Sequence, residues 1–231
     1  MIDELMQVFA PHICEGCGRV GKPLCARCIN YIIDQKWTLC VNCNQQMTTT
    51  ELAKSGNLCR YCCKKLPFKK VFVVGERSGL LQSLVGNYKY FSRRESAKPI
   101  AKLVFSSLPS ELPPDLTVVP LPTIPKHIRQ RGFDHMKLVA RELARLTELP
   151  KSTSLLKRVN NLSQHGANLK QRKLQAEQAF RTNLFTKMPE RVLLIDDIYT
   201  TGNTTKAAAK MLKSIGVKEI WLAIVARHNS Q

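Results

Sequence analysis

From about Leu66 onward, the apolar positions follow two alternating rhythms. VFVVGE (71–76) alternates weakly and reads as a strand, and LTVVPLP (116–122) is a short apolar strand running into prolines. RVLLID (191–196) and EIWLAIVAR (219–227) read as buried strands. Between them lie stretches with helical spacing. SGLLQSLVGNYKY (78–90) places Leu80, Leu81, Leu84 and Val85 on one side. SAKPIAKLVFSSL (96–108) is amphipathic, with Pro99 tolerable only in a first helical turn. HMKLVARELARLTEL (135–149) gathers Leu138, Val139, Leu143 and Leu146 on one face. TTKAAAKMLKSIG (204–216) ends on Gly216, a residue suited to the C′ position. Strands alternating with helices predict an α/β domain, a mostly parallel sheet with helices on both faces.

Before Leu66 the chain is of another kind. All nine cysteines lie between Cys14 and Cys63, and eight form four C-x-x-C pairs: Cys14/Cys17, Cys25/Cys28, Cys40/Cys43 and Cys59/Cys62. A C-x-x-C turn sets two thiolates on one side of a knuckle, at the bite of a tetrahedral metal. Four knuckles predict two four-cysteine sites, with Zn2+ as the default occupant of a thiolate-only set. Redox C-x-x-C motifs and a disulfide framework are the competing readings; a cytosolic chain disfavours disulfides. Three pairings of the knuckles are open, the sequential one being simplest, and Cys63 is either a surplus thiol or a competing ligand. The expected organisation is a small zinc-binding domain over 1–65 and an α/β domain over 66–231.

Charge sharpens the division. The chain of 231 residues carries a formal net charge of +19. Residues 66–231 hold 28 basic and 12 acidic side chains. The excess thus belongs to the second domain and points to a polyanionic partner, nucleic acid first. Lys137, Arg141 and Arg145 recur at i, i+4 and i+8 and share one helix face, a pattern suited to a phosphate backbone. No apolar run approaches the roughly 18 residues of a bilayer span. The acidic start, MIDELMQVFA, is not that of a secretory signal, so a cytoplasmic protein without membrane insertion is expected.

The most chemical stretch is VLLIDDIYTTGNTT (192–205). Asp196 and Asp197 sit at the carboxyl end of a strand, where open α/β sheets bind ligands. Thr200, Thr201, Gly202, Asn203 and Thr204 form a small-residue turn into a helix, whose N–H groups and dipole suit a phosphate. Two carboxylates beside a phosphate cradle need a further partner, either ribose hydroxyls or Mg2+.

This stretch resembles the phosphoribosyl-pyrophosphate signature of type I phosphoribosyltransferases. The resemblance implies that Asp196 and Asp197 engage the ribose hydroxyls and that the Thr200–Thr204 loop holds the 5′-phosphate. With the C-x-x-C pairs, NYKYFSRRE (87–95), VVPLPTIPKHIRQRGFDH (118–135) and LLKRVNNLSQHGANLKQRKLQAEQAF (155–180), the chain resembles the ComF family. Those competence-associated proteins join a zinc module to a phosphoribosyltransferase-like domain. The family's usual RGFNQ-type segment reads RGFDH here, so Asp134 and His135 depart from it. By the same resemblance, the Pro120–Thr123 turn is the pyrophosphate loop and Leu155–Phe180 belongs to a hood over the site.

Lys126, Arg129 and Arg131 follow that loop and suit either a departing pyrophosphate or DNA phosphates. His165 falls in the hood, and Phe133 and Tyr90 are aromatics among basic residues. Three functional readings stand. The first is what the resemblance implies: a cytosolic competence protein that binds phosphoribosyl pyrophosphate and single-stranded DNA beside a helicase partner. The second is a phosphoribosyltransferase of nucleotide salvage. The third is an adaptor without the ligand, which the retained Asp196–Asp197 pair disfavours.

Overall fold

The computed structural model of the chain describes residues 12–90, 93–159, 179–182 and 188–228. The acidic start and His165 lie outside them. Four parallel strands build the central sheet: β1 (Lys70–Glu76), β2 (Leu116–Pro120), β5 (Arg191–Tyr199) and β6 (Glu219–Arg227), in the order β1-β6-β5-β2. Every residue of β2 is buried and so are all but the first of β6, because both sheet faces are covered.

One face packs against α1 (Ala26–Asp34), α4 (Gly79–Tyr90), α5 (Ala97–Ser107) and α7 (His135–Thr147), through residues such as Phe72, Val74, Leu193 and Val225. The other packs against α8 (Asn203–Ser214), whose Ala207, Ala208 and Leu212 meet Val192, Leu194 and Leu222. All eight expected elements of the α/β domain stand within a few residues of the expected bounds. Gly216, at φ +99°, does follow the end of α8. Unanticipated are α6 (Pro125–Arg131), with proline in its first turn, and a two-stranded antiparallel sheet of β3 (Leu156–Arg158) and β4 (Phe180–Thr182). The described ends of the expected hood are therefore strands.

β5 is longer than its apolar run suggests. Its last residues pair with β6, Ile198 with Ala226 and Tyr199 with Arg227. β2 ends sooner, with Pro120 opposite Ile195. Proline has no N–H to continue a ladder, and the Leu121 N–H makes a last bond to Ile195 O at 2.8 Å. Asp196 and Asp197 therefore lie on a strand that has lost one neighbour, and the gap beyond β2 becomes the site.

The cysteine-rich part adds α2 (Thr49–Ser55), closed by a Thr48–Glu51 capping box, and α3 (Arg60–Lys65), and it wraps the outer strand β1. Cys14 and Cys28 enter one core and Cys40, Cys59 and Cys62 the other. Between them Asn57 runs along β1: its N–H donates to Val71 O at 2.6 Å, and its Oδ1 accepts from Val73 N at 3.0 Å. Gly56, at φ +61°, lies so close to β1 that a Cβ would strike the Val71 carbonyl.

Candidate active site and metal centres

A cavity of about 270 Å³ opens at the carboxyl ends of β2 and β5. Asp196, Asp197, Thr200, Gly202, Asn203 and Thr204 line it, so the two acids and most of the turn converge as the sequence implies. Thr201 does not line it; its carbonyl turns aside to accept Lys206 Nζ at 3.0 Å. The turn passes through Gly202 at φ +72°, the N-cap of α8, where a Cβ would collide with the Tyr199 ring. No side chain caps this helix, so its first N–H groups stay available to an anion.

Of the three expected pyrophosphate-side cations, Arg131 lines the cavity. Lys126 and Arg129 stand exposed on the outer side of α6. His127, on the inner side, lines the cavity in their place. Its pKa is lowered, first by burial and then by the charges of Arg131 and Lys126. Arg158, from β3, adds a cation that faces Asp196.

The two aspartates have different surroundings. Asp197 Oδ1 pairs with Lys89 Nζ at 2.8 Å, and Oδ2 makes a short contact with His135 Nε2. His135 is itself held. The Thr123 hydroxyl is 3.2 Å from its Nδ1, and the Tyr88 hydroxyl donates to its carbonyl at 2.6 Å. Burial opposes ionisation of Asp197, but Lys89 and His135 outweigh it and hold the carboxyl well below the usual range. Asp196 is pushed well above it, by burial first and by the Asp197 charge second. The hydrogen bond recorded for Asp196 comes from the Asp197 backbone N–H, 2.9 Å away.

Thr123 lines the cavity from the expected pyrophosphate loop, whereas Lys89, His127, His135 and Arg158 are cavity residues that the sequence does not single out. Two carried a signal. Lys89 falls four residues after buried Val85, and His135 four before buried Val139, so each is a polar residue on the apolar side of a helix. The departure at Asp134 is structurally benign. Its carboxylate accepts from the Lys137 N–H at 3.4 Å as the N-cap of α7, a task asparagine performs equally, and receives the Thr123 hydroxyl at 2.9 Å. Phe133 is buried, while Tyr90 is exposed beneath Arg131.

The eight cysteines form two groups, Cys14/Cys17/Cys25/Cys28 and Cys40/Cys43/Cys59/Cys62, each with its sulfurs within 4.8 Å of one another. The pairing is sequential. A ZnS4 tetrahedron with bonds of about 2.3 Å has edges of about 3.8 Å. Cys17 and Cys25 sulfurs are 3.7 Å apart, as are those of Cys43 and Cys59, so both groups fit such an ion. Burial raises Cys14, but N–H groups of Cys25, Gly16 and Cys17 outweigh it and bring the thiol to about 6. Burial and its cysteine neighbours push Cys28 up to about 12. Cys63 stands outside both groups.

Both groups reach toward the cavity. Glu15, in the first knuckle, accepts from Asn87 Nδ2 at 3.1 Å on α4, two residues before Lys89. Beside the second, buried Arg227 donates from Nε to Val41 O at 2.7 Å and from Nη1 to Tyr199 O at 3.3 Å.

A parallel sheet sandwiched by helices, with an acidic pair and an uncapped helix N-terminus at its carboxyl edge, has a phosphoribosyltransferase-type fold, and residues 128–231 match the phosphoribosyl transferase domain family. Competence protein F of Haemophilus influenzae is 27% identical over 88% of this chain and 96% of its own length. Competence protein ComFC of Streptococcus pneumoniae is 26% identical over 78% of this chain and 77% of its own. That of Bacillus subtilis is 35% identical over 48% and 45%. The chain is thus similar to ComFC-type competence proteins, and it joins a cysteine-rich module to a phosphoribosyltransferase-type fold.

Proposed function

We propose that this chain is a cytoplasmic competence protein that binds phosphoribosyl pyrophosphate with Mg2+ and handles single-stranded DNA beside a helicase partner. The competence role rests on the names of its relatives. The ligand rests on one observation: a carboxylate pair and an uncapped helix N-terminus share a cavity with Arg131 and Arg158. A molecule with a phosphate at one end and a diol at the other satisfies both ends. The arginines, with Mg2+ to screen the pyrophosphate charge, suit the third part of the ligand. Single-stranded DNA fits the exposed cations Lys137, Arg141 and Arg145 on α7, whose first turn borders the cavity. No helix among the described residues is long and apolar enough to cross a membrane. The two four-cysteine groups would hold Zn2+, making 1–65 a brace for the ligand-binding unit of 66–231.

The test is calorimetric titration with phosphoribosyl pyrophosphate and Mg2+, followed by pyrophosphate release with and without single-stranded DNA. Saturable binding that the Asp196→Asn/Asp197→Asn double variant loses supports the reading. Release that needs both aspartates makes the protein an enzyme that passes the phosphoribosyl group to water or, where an added nucleobase stimulates release, to that base as in nucleotide salvage, and DNA dependence of the release ties it to nucleic acid. Absence of binding by the unaltered protein refutes the ligand.

A further inference from the structure

The paired aspartates are adjacent in sequence and share one cavity, yet their partners are unlike. Asp197 has both oxygens engaged, Oδ1 by Lys89 Nζ at 2.8 Å and Oδ2 by His135 Nε2. Its side chain is 13% exposed and that of His135 5%. Lys89 ends α4 and His135 opens α7, so this carboxylate joins β5 to the two helices that flank the cavity. Thr123, from the loop after β2, is 2.9 Å from Asp134 Oδ1 and 3.2 Å from His135 Nδ1, and so ties that loop to the same node. Asp196 has no such node; among the described residues its hydrogen bond is to a backbone N–H.

We infer that the two carboxylates divide the labour: Asp196 takes the sugar diol, while Asp197 is a positioning residue that anchors Lys89 and His135. This rests on the proposed phosphoribosyl-pyrophosphate reading and departs from an equal role for both acids. It also assigns Lys89. A lysine whose ammonium is committed to Asp197 is not a ligand cation in this state; Arg131, whose Nη1 lies 3.2 Å from His135 Nδ1, and Arg158 also line the cavity. His135 gains a task in the same way. A glutamine, as in the commoner RGFNQ-type segment, would offer Asp197 one N–H from its side-chain amide. The imidazole Nε2 reaches the same oxygen here.

Separating the roles requires two readouts on single variants: melting temperature without ligand, and calorimetric affinity for phosphoribosyl pyrophosphate with Mg2+. Asp197→Asn and His135→Ala are expected to lower the melting temperature by about 6 °C or more, since each breaks a buried charged contact. His135→Gln should recover most of that loss, which a role in packing alone would not predict. Asp196→Asn should lose about 10- to 100-fold in affinity without a lower melting temperature, whereas Asp197→Asn should lose less affinity than Asp196→Asn and melt lower. Loss of affinity in Asp197→Asn at unchanged melting temperature would overturn the assignment, as would Asp196→Asn melting as low as Asp197→Asn. If the unaltered protein binds no phosphoribosyl pyrophosphate, the proposed function and the diol role of Asp196 fall together. The melting order then still decides whether Asp197 is the anchor.

Discussion

Asp196 is held where burial and the neighbouring Asp197 charge both favour its protonated form. The folded chain therefore binds this proton more tightly than the unfolded chain does. As pH rises above the unfolded carboxyl value of about 4, the unfolded state releases its proton first, and stability falls until the folded group also ionises. Asp197 works in the opposite sense. Its contribution is full above about pH 4 and is lost as pH falls through its depressed folded value. Asp196→Asn should thus gain stability over the unaltered protein between about pH 4 and neutrality and match it below. Urea denaturation across that range reads the difference; parallel curves would show that Asp196 carries no such burden. A residue that costs stability and has few polar partners in the protein is a common mark of a group kept for a ligand. The sequence made the two acids and the glycine of the turn legible because charge and missing bulk stand out after an apolar run. It could not separate the acids, since their difference lies in Lys89 and His135, remote in the chain.

At the level of elements, periodicity located α4, α5, α7 and α8 and all four strands of the main sheet. Long apolar faces and continuous apolar runs speak for themselves. α6 was obscured because its PKHIRQR buries no residue fully, and β3 and β4 because three-residue strands carry no period. The full reach of β5 was hidden because Asp196 and Asp197 interrupt the apolar pattern while the backbone ladder to β6 continues. On α7 the basic stripe is exposed as its spacing implied, but its members differ. Lys137 lies in the first turn, at the cavity end, and Arg145 is engaged by Glu142 at 3.3 Å. Charge reversal to glutamate of Lys137, Arg141 and Arg145 together should weaken single-stranded DNA binding and flatten its salt dependence by about 0.7 per lost phosphate contact. Singly, Arg145→Glu should matter least. Fluorescence anisotropy over a salt series measures both, and an unchanged slope in the triple variant would move the DNA to another face.

For the molecule as a whole, the cysteine count and spacing announced two four-cysteine groups, but not where they would sit. Their placement depends on long-range packing: one group enters the core under α4 and α5, the other the core under α8. Structural zinc sites of this kind contribute on the order of 10 kcal/mol to folding, as much as an entire domain's net stability. Chelation should therefore abolish the cooperative melting transition of the full chain, with about two Zn2+ released per chain, one for each four-cysteine group. Circular dichroism with metal analysis checks this; an unchanged transition after complete removal would make the ions dispensable.

Asn57 and Gly56 occupy the free flank of β1, the outermost strand of the sheet. That flank would otherwise offer a row of unspent amide and carbonyl groups to any passing chain, the usual seed of strand-to-strand stacking. Were the knuckles on either side to lose a bound metal, this cover would loosen and the bare strand edge would favour polymer over dispersed monomer. Zinc supply would then set how much of the protein stays dispersed, independently of how much is made.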